Sequence, residues 1–164
     1  MLIIRCATMS DLGALTEIYN EAILRTVATF DTKPKTVEEQ KPWFESHDSK
    51  HPIFVAELDS VVIGWASLSK WSDRCAYSDT AEISVYVKED HRGKEIGKKL
   101  MHEILDQGQK EGLHTVIARI AEFNEVSIHL HEVFGFQHVG TMRQVGRKFG
   151  KLLDVQLMQK IYES

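Results

Sequence analysis

Residues 84–100 read SVYVKEDHRGKEIGKKL, and this join constrains the chain more than any other stretch. An alternating apolar strand enters a charged loop with two glycines, and the loop opens directly into a helix. The first N–H groups of a helix have no partner inside it, and the aligned peptide dipoles add partial positive charge there. Gly93 and Gly97 let the chain approach an anion closely, and a curved run of N–H groups forms a nest. Arg92, Lys94, Lys98 and Lys99 add positive charge around it. The run Arg92-Gly93-Lys94-Glu95-Ile96-Gly97 therefore suits a pyrophosphate. The alternative is a plain glycine turn with lysines on a solvated face. Neither G-x-x-x-x-G-K-[ST] nor G-x-G-x-x-G with an acid some 20 residues on is present, which sets two familiar phosphate loops aside.

The flanking patterns predict the order β, α, α, β, β, β, α, β, α, β, β. LIIRCAT reads as a buried first strand in which Cys6 acts as a small hydrophobe. Ser10 or Asp11 caps a helix through about residue 24, with Leu12, Leu15, Ile18, Tyr19, Ala22 and Ile23 at helical spacing. Thr36 and Glu39 form a capping box for a second helix ending near His47. PIFVAEL and SVVIGWASLSKW are joined by a turn at Asp59 and Ser60, as in a hairpin. In DTAEISVYVK, Ala81, Ile83, Val85 and Val87 share one face, and Glu82, Ser84 and Tyr86 the other. After the glycine loop, Ile96, Leu100, Met101, Ile104 and Leu105 make one helical stripe, and Gly112 is a natural stop. HTVIARIA is a strand, EVSIHLHEVF a short helix, and two more strands close the chain. The pattern predicts an α/β fold with a mixed sheet covered by helices.

At 164 residues the chain fits one domain, 1–164, with a single sizeable core. The 43% apolar and 27% charged composition is that of a globular protein rather than a disordered one. No apolar run approaches the roughly 20 residues of a membrane helix, and MLIIRCATMSDL does not read as a secretory signal. A formal net charge of −4 argues against a general nucleic-acid binder. Cys6 and Cys75 match no metal-ligand spacing, so a reduced, cytoplasmic setting is the default and no metal is expected.

Strand ISVYV, loop HRGKEIG, helix KKLMHEIL, strand HTVIARI and helix NEVSIHLHEVFGF together resemble the acetyl-CoA-binding core of the GCN5-related N-acetyltransferases (GNAT). Their loop pattern, Arg/Gln-x-x-Gly-x-Gly/Ala, is met by Arg92 and Gly97. Glu95 stands where the middle glycine normally stands. Wider blocks, from IRCATMSDLGALTEIYNEAI and TVATFDTKP to SIHLHEVFGFQHVGTMRQVGRKFGKLLDVQLMQ, resemble the phosphinothricin group, whose bacterial members act on methionine sulfoximine and methionine sulfone. The resemblance implies a mostly antiparallel mixed sheet and acetyl-CoA as co-substrate. It puts Gly93, Lys94, Glu95, Ile96, Gly97 and Lys98 at the pyrophosphate. The backbone of Val85, Tyr86 and Val87 would run beside the pantetheine arm, with Asn124 and Ser127 as polar contacts to it. It also implies a homodimer built through the closing hairpin.

Acetyl transfer to an amine needs an unprotonated nitrogen, an electrophilic thioester and a place for the oxyanion. A base in hydrogen-bond reach helps the first. Glu82 is the candidate, because it interrupts an apolar strand just ahead of the cofactor segment; the bland reading is an outward, solvated residue. The resemblance supports Glu82 and puts His131 where many members carry a proton-donating Tyr, though His131 could equally be a packed structural residue. A backbone N–H between Val85 and Val87 could meet the oxyanion if the strand splays there. By resemblance Ser72, Asp73, Arg74, Glu82, Ile83 and Ser84 line the acceptor pocket. Arg74 suits a carboxylate clamp, and Phe30 is the expected aromatic wall. Arg143, Arg147, Lys148 and Lys151 read as a steering cluster or a solvated charge run. The leading acceptor is a small amino acid or analogue. A protein or peptide amine, and a non-catalytic acyl-CoA sensor, are the alternatives.

Overall fold

The computed structural model describes residues 1–163. Strand β1 (Leu2–Cys6) leads through a 3-10 turn (Met9–Asp11) into helix α1 (Leu12–Arg25). Leu12, Leu15, Ile18, Ala22 and Ile23 recur on one stripe and are buried, which is why this segment is helical and which face it hides. Its entrance differs from the expected cap. The Asp11 carboxylate turns back to accept the Thr8 N–H at 2.8 Å and pairs with Arg5 at 2.8 and 2.9 Å. It therefore caps the preceding turn, not α1. Cys6 corrects a second expectation: it is exposed, because its strand lies at the sheet edge.

Helix α2 (Val37–Glu45) starts with half of the predicted capping box: the Thr36 hydroxyl accepts the Glu39 N–H at 3.1 Å, and among the described residues the return bond from the Thr36 N–H to the Glu39 carboxylate is not made. Strands β2 (Ile53–Leu58) and β3 (Val61–Lys70) form the expected hairpin. Asp59 and Ser60 both take positive φ, 49° and 71°, the two-residue turn whose twist matches the flanking strands. Strand β4 (Thr80–Val87), helix α3 (Ile96–Lys110), strand β5 (Thr115–Ala121), helix α4 (Glu125–Val133) and the hairpin β6 (Gln137–Lys148) and β7 (Lys151–Ile161) complete the chain.

The seven strands pair in the order β1-β2-β3-β4-β5-β7-β6, and every pairing is antiparallel except β4 with β5. One face buries Ala66, Leu68, Ala81, Ile83, Val116 and Ala118 against Leu100, Met101 and Ile104 of α3. The other buries Val55 and Trp65 against Leu15 and Ile18 of α1. The α/β fold with a mixed, mostly antiparallel sheet flanked by helices is thus the one the patterning predicts.

The parallel pair is short. It joins Thr80 to Thr115, Ala81 to Val116 and Glu82 to Ile117, and then stops. Beyond it β4 runs on to Val87 and β5 to Ala121 with no further pairing between them, while β5 stays zipped to β7. The sheet therefore forks at Glu82.

Candidate active site at the fork between β4 and β5

The fork exposes one edge of β4. The Lys88 N–H bonds to the Ile63 carbonyl on the β3 side at 2.8 Å. By strand alternation, the Tyr86 N–H also points to β3, and the N–H groups of Val85 and Val87 point into the gap. The Val87 carbonyl on that edge accepts from Arg92 Nε at 3.1 Å, which ties the loop to the strand. A splay that sequence could not show is therefore present, with two backbone donors beside it.

The glycine loop follows. Gly93 has φ +78° and open space where a Cβ would stand. Glu95, the residue before α3, is also left-handed, at φ 63° and ψ 15°. This explains why glycine suits that position: an L side chain there costs about 1–2 kcal/mol. The first helical bond runs from the Lys99 N–H to the Glu95 carbonyl at 3.1 Å, so the N–H groups of Ile96, Gly97 and Lys98 have no helical partner. Ile96 is buried, whereas Lys94, Glu95 and Lys98 are exposed. The gap, the helix start and the free donors fit the thioester arm and pyrophosphate of acetyl-CoA. At the far wall, Asn124 caps α4 by accepting the Ser127 N–H at 3.3 Å.

His131 is 6% exposed and stacks edge-on to Phe136 at 5.0 Å. Its Nδ1 lies 2.7 Å from the Ser127 carbonyl oxygen, which can only accept, so Nδ1 carries the proton and Nε2 is an acceptor. Burial holds the imidazole below its usual pKa. In this state His131 can take a proton but has none to give from Nε2.

Glu82 lies at the last rung of the ladder. Both its oxygens are engaged by Arg119 of β5: Nε to Oε2 at 2.6 Å and Nη2 to Oε1 at 2.7 Å. The guanidinium carbon sits 5.7 Å from the centre of the Trp71 ring. Beside Glu82, on the same face, a cavity of about 250 Å³ opens between the sheet and α1 and α2. Trp65, Ser67, Ser69, Ser84 and Tyr86 form its floor, and Tyr19, Asp31 and Trp43 stand around it. The Trp65 Nε1–H is buried with no partner among the described residues. Ser69 meets His47 Nε2 at 3.0 Å; because His47 Nδ1 faces the Trp43 carbonyl at 2.7 Å, Ser69 is the donor of that pair.

Of the expected acceptor residues, Ser84 lines this cavity. Ile83 does not: its side chain is 5% exposed in the core on the α3 side. Phe30 lies over Gly146 of the closing hairpin and is absent from the cavity wall. Ser72, Asp73 and Arg74 form an exposed or half-exposed loop before β4, where Ser72 accepts the Arg74 N–H at 3.3 Å. Lys148 is no solvated strand residue. It is 4% exposed and donates to the Thr29 carbonyl at 2.7 Å, and burial lowers its pKa. Sequence reading missed Arg119, the partner of Glu82, and most of the cavity wall, including Tyr19, Asp31, Trp43, Trp65, Ser67 and Ser69. The signal for Arg119 was present, as the one charged residue in TVIARIA.

Among the described residues no group of three or more His, Cys, Asp or Glu could hold a metal, and no helix is long and apolar enough to cross a membrane. Residues 15–136 match the family model described as Acetyltransferase (GNAT) family.

The chain belongs to the GNAT family.

As such it is an acetyltransferase that takes acetyl-CoA as co-substrate. It is 40% identical to a phosphinothricin N-acetyltransferase of Streptomyces coelicolor, covering 93% of this chain and 91% of the relative. It is 39% identical to the L-amino acid N-acyltransferase MnaT of Escherichia coli (95% and 91%), and 38% identical to an L-methionine sulfoximine/L-methionine sulfone acetyltransferase of Salmonella typhimurium (95% and 92%). The yncA acetyltransferase of Salmonella typhimurium, solved with its cofactor acetyl-CoA, superposes with TM-score 0.96 at 36% identity, over 100% of this chain and 95% of that one. A ribosomal-protein-alanine N-acetyltransferase from Brucella melitensis superposes with TM-score 0.94 at 38% identity, over 98% of each chain.

Proposed function

We propose that this acetyltransferase acts on the amino group of a small amino acid or analogue of the methionine sulfone, methionine sulfoximine or phosphinothricin class. One observation carries the reading. The fork begins at Glu82; Ser84 and Tyr86, next along its face of β4, line a cavity of about 250 Å³, and two backbone donors lie free farther along the same strand. That volume is at the small end of ligand pockets and matches an amino acid better than a peptide. The names of the three curated relatives support the same acceptor class.

Acetyl-CoA supplies the thioester: the acceptor nitrogen bonds to its carbonyl carbon as the carbon–sulfur bond breaks, the CoA sulfur leaves as thiolate, and the proton that the nitrogen then sheds makes it a thiol. The chain's own groups do the rest. Glu82 takes a proton from the acceptor ammonium, directly or through one water, leaving the lone pair that attacks. The Val85 and Val87 N–H groups donate to the oxygen that gains negative charge. Ile96, Gly97 and Lys98 bind the pyrophosphate through their N–H groups, with Arg92, Gly93 and Lys94 beside them. Asn124 and Ser127 face the pantetheine arm. His131 Nε2, an acceptor, takes the second proton shed by the nitrogen and passes it on to the departing thiolate.

Thiol release from acetyl-CoA tests this, with methionine sulfone, methionine sulfoximine, phosphinothricin, ordinary amino acids and an alanine-terminated peptide as acceptors. Saturable turnover with the first three is expected, and Glu82→Gln lowers kcat by about 10²–10⁴. Turnover of the peptide alone overturns the reading in favour of a protein amine, to which the Brucella melitensis neighbour's name points. Light scattering tests the implied homodimer, for which the hairpin β6–β7 offers Val139, Val145, Phe149 and Leu152, all exposed. The two free cysteines fit a reducing, cytoplasmic setting.

A further inference from the structure

We infer that Arg119, not Arg74, is the acceptor's carboxylate site, and that without an acceptor it occupies the very carboxylate, Glu82, that the incoming ammonium must claim. The inference deepens the proposed function and rests on its reading that the acceptor amine sits beside Glu82.

The geometry begins with the bidentate pair. Arg119 meets both Glu82 oxygens at 2.6 and 2.7 Å, so the lone pairs best placed for an ammonium are already in use. Arg119 stands just past the last rung of the ladder, at the mouth of the fork, and its side chain is 53% exposed while that of Glu82 is 20% exposed. The guanidinium is therefore the accessible half of the pair. It also rests near the Trp71 ring, a surface along which a planar cation can swing without losing contact.

The chemistry of an α-amino acid completes the case. Its nitrogen and its carboxylate carbon are two bonds apart, about 2.5 Å. An acceptor that brings its ammonium to Glu82 must therefore bring its carboxylate to the same few ångströms, where Arg119 already is. An ammonium that took Glu82 alone would break the bidentate pair and leave the guanidinium with no anion to fork onto. A free amino acid avoids this by exchanging partners: ammonium to Glu82, carboxylate to Arg119. An ester, an amide or a peptide N-terminus carries no anion at that position and leaves Arg119 on Glu82. The pair thus selects free α-amino acids by charge. Among the described residues no other side chain holds Glu82, and no side-chain partner is found for Arg74.

The test compares methionine sulfone with its carboxamide in the full-length enzyme, reading kcat/KM for each and taking their ratio within each protein. The wild type is expected to favour the acid by about 100-fold or more. Arg119→Gln is expected to bring the ratio within about fivefold, and Arg119→Lys to keep part of it, because an ammonium pairs but does not fork. Acetyl-CoA binding and melting temperature show that each variant is folded; if Arg119→Gln is not, the Lys variant alone decides by its ratio. A ratio unmoved by either folded variant overturns the inference. So does an equal loss on acid and carboxamide, which would make Arg119 a positioning residue for Glu82 only. A wild type silent with both acceptors overturns the underlying acceptor reading, and is recognised because no variant is needed to see it.

Discussion

Two residues carry the sharpest local consequences. Glu95 occupies a left-handed position, φ 63°, at the start of α3, and is exposed there beside the free helix donors. A carboxylate near a bound pyrophosphate repels it, and an L side chain in this conformation is strained. Glu95→Gly removes both. Its effect on melting is small, since glycine also enlarges the unfolded ensemble by about 0.4–1 kcal/mol. Acetyl-CoA binding is expected to tighten about three- to fivefold at low salt and less at high salt, readable by titration at two ionic strengths. Trp65 is the second. Its indole N–H, on the floor of the cavity, is buried with no partner among the described residues, so an acceptor bearing a side-chain oxygen can satisfy it. Trp65→Phe is expected to lower the preference for methionine sulfone over methionine by about tenfold, by the kcat/KM ratio of the two. An unchanged ratio assigns the N–H to water.

Among elements, the closing hairpin decides how firmly the site is roofed. Lys148 of β6 reaches the Thr29 carbonyl, and Phe30 lies flat over Gly146. Together they pin the segment between α1 and α2 that supplies Asp31 and Lys35 to the cavity wall. Asp31 in turn holds the Tyr19 hydroxyl. A methyl on Gly146 would collide with the Phe30 ring, so Gly146→Ala is expected to cost about 1–3 kcal/mol, seen as a lower melting temperature. Because the displaced segment roofs the pocket, KM for the acceptor should rise more than KM for acetyl-CoA. In a Phe30→Leu background the penalty of the same substitution should shrink. The helices were legible element by element: the stripe Leu12 to Ile23 and the Thr36 cap predicted α1 and α2 from spacing alone. Asp11 was misread because Arg5, from a neighbouring strand, competes for its carboxylate. Local capping rules do not see such a partner.

Across the whole molecule, a buried imidazole, His131, and a half-buried one, His47, set a pH window. Desolvation lowers the pKa of both His131 and His47 in the folded protein. A group depressed in the folded state contributes stability above its unfolded pKa, about 6.5, and that contribution is lost as pH falls through the lower folded value. Melting temperature is expected to be flat above pH 7 and to fall below pH 6.5. The slope has a ceiling of about 1.4 kcal/mol per pH unit for each imidazole. His131→Gln, which keeps a donor for the Ser127 carbonyl, should flatten part of that fall. A fall that begins only below pH 4 would instead belong to paired carboxylates such as Asp11, whose pKa is lowered by Arg5.

The sequence by itself determined the strand and helix order, the two-faced β4 and the glycine loop, because each is written in local periodicity, capping chemistry and turn residues. It also determined the acetyltransferase family, through blocks spread along the chain. Only the tertiary structure decided where β4 and β5 part, that Ile83 faces the core on the α3 side, that Phe30 and Lys148 serve the roof, and that Glu82 is held by Arg119. Those facts depend on residues far apart in the chain meeting across a sheet. No local rule ranks Arg119 above Arg74 as the partner of a carboxylate 37 positions away. The register of β5 against β4 does, by setting Ile117 beside Glu82 and so bringing Arg119 within reach.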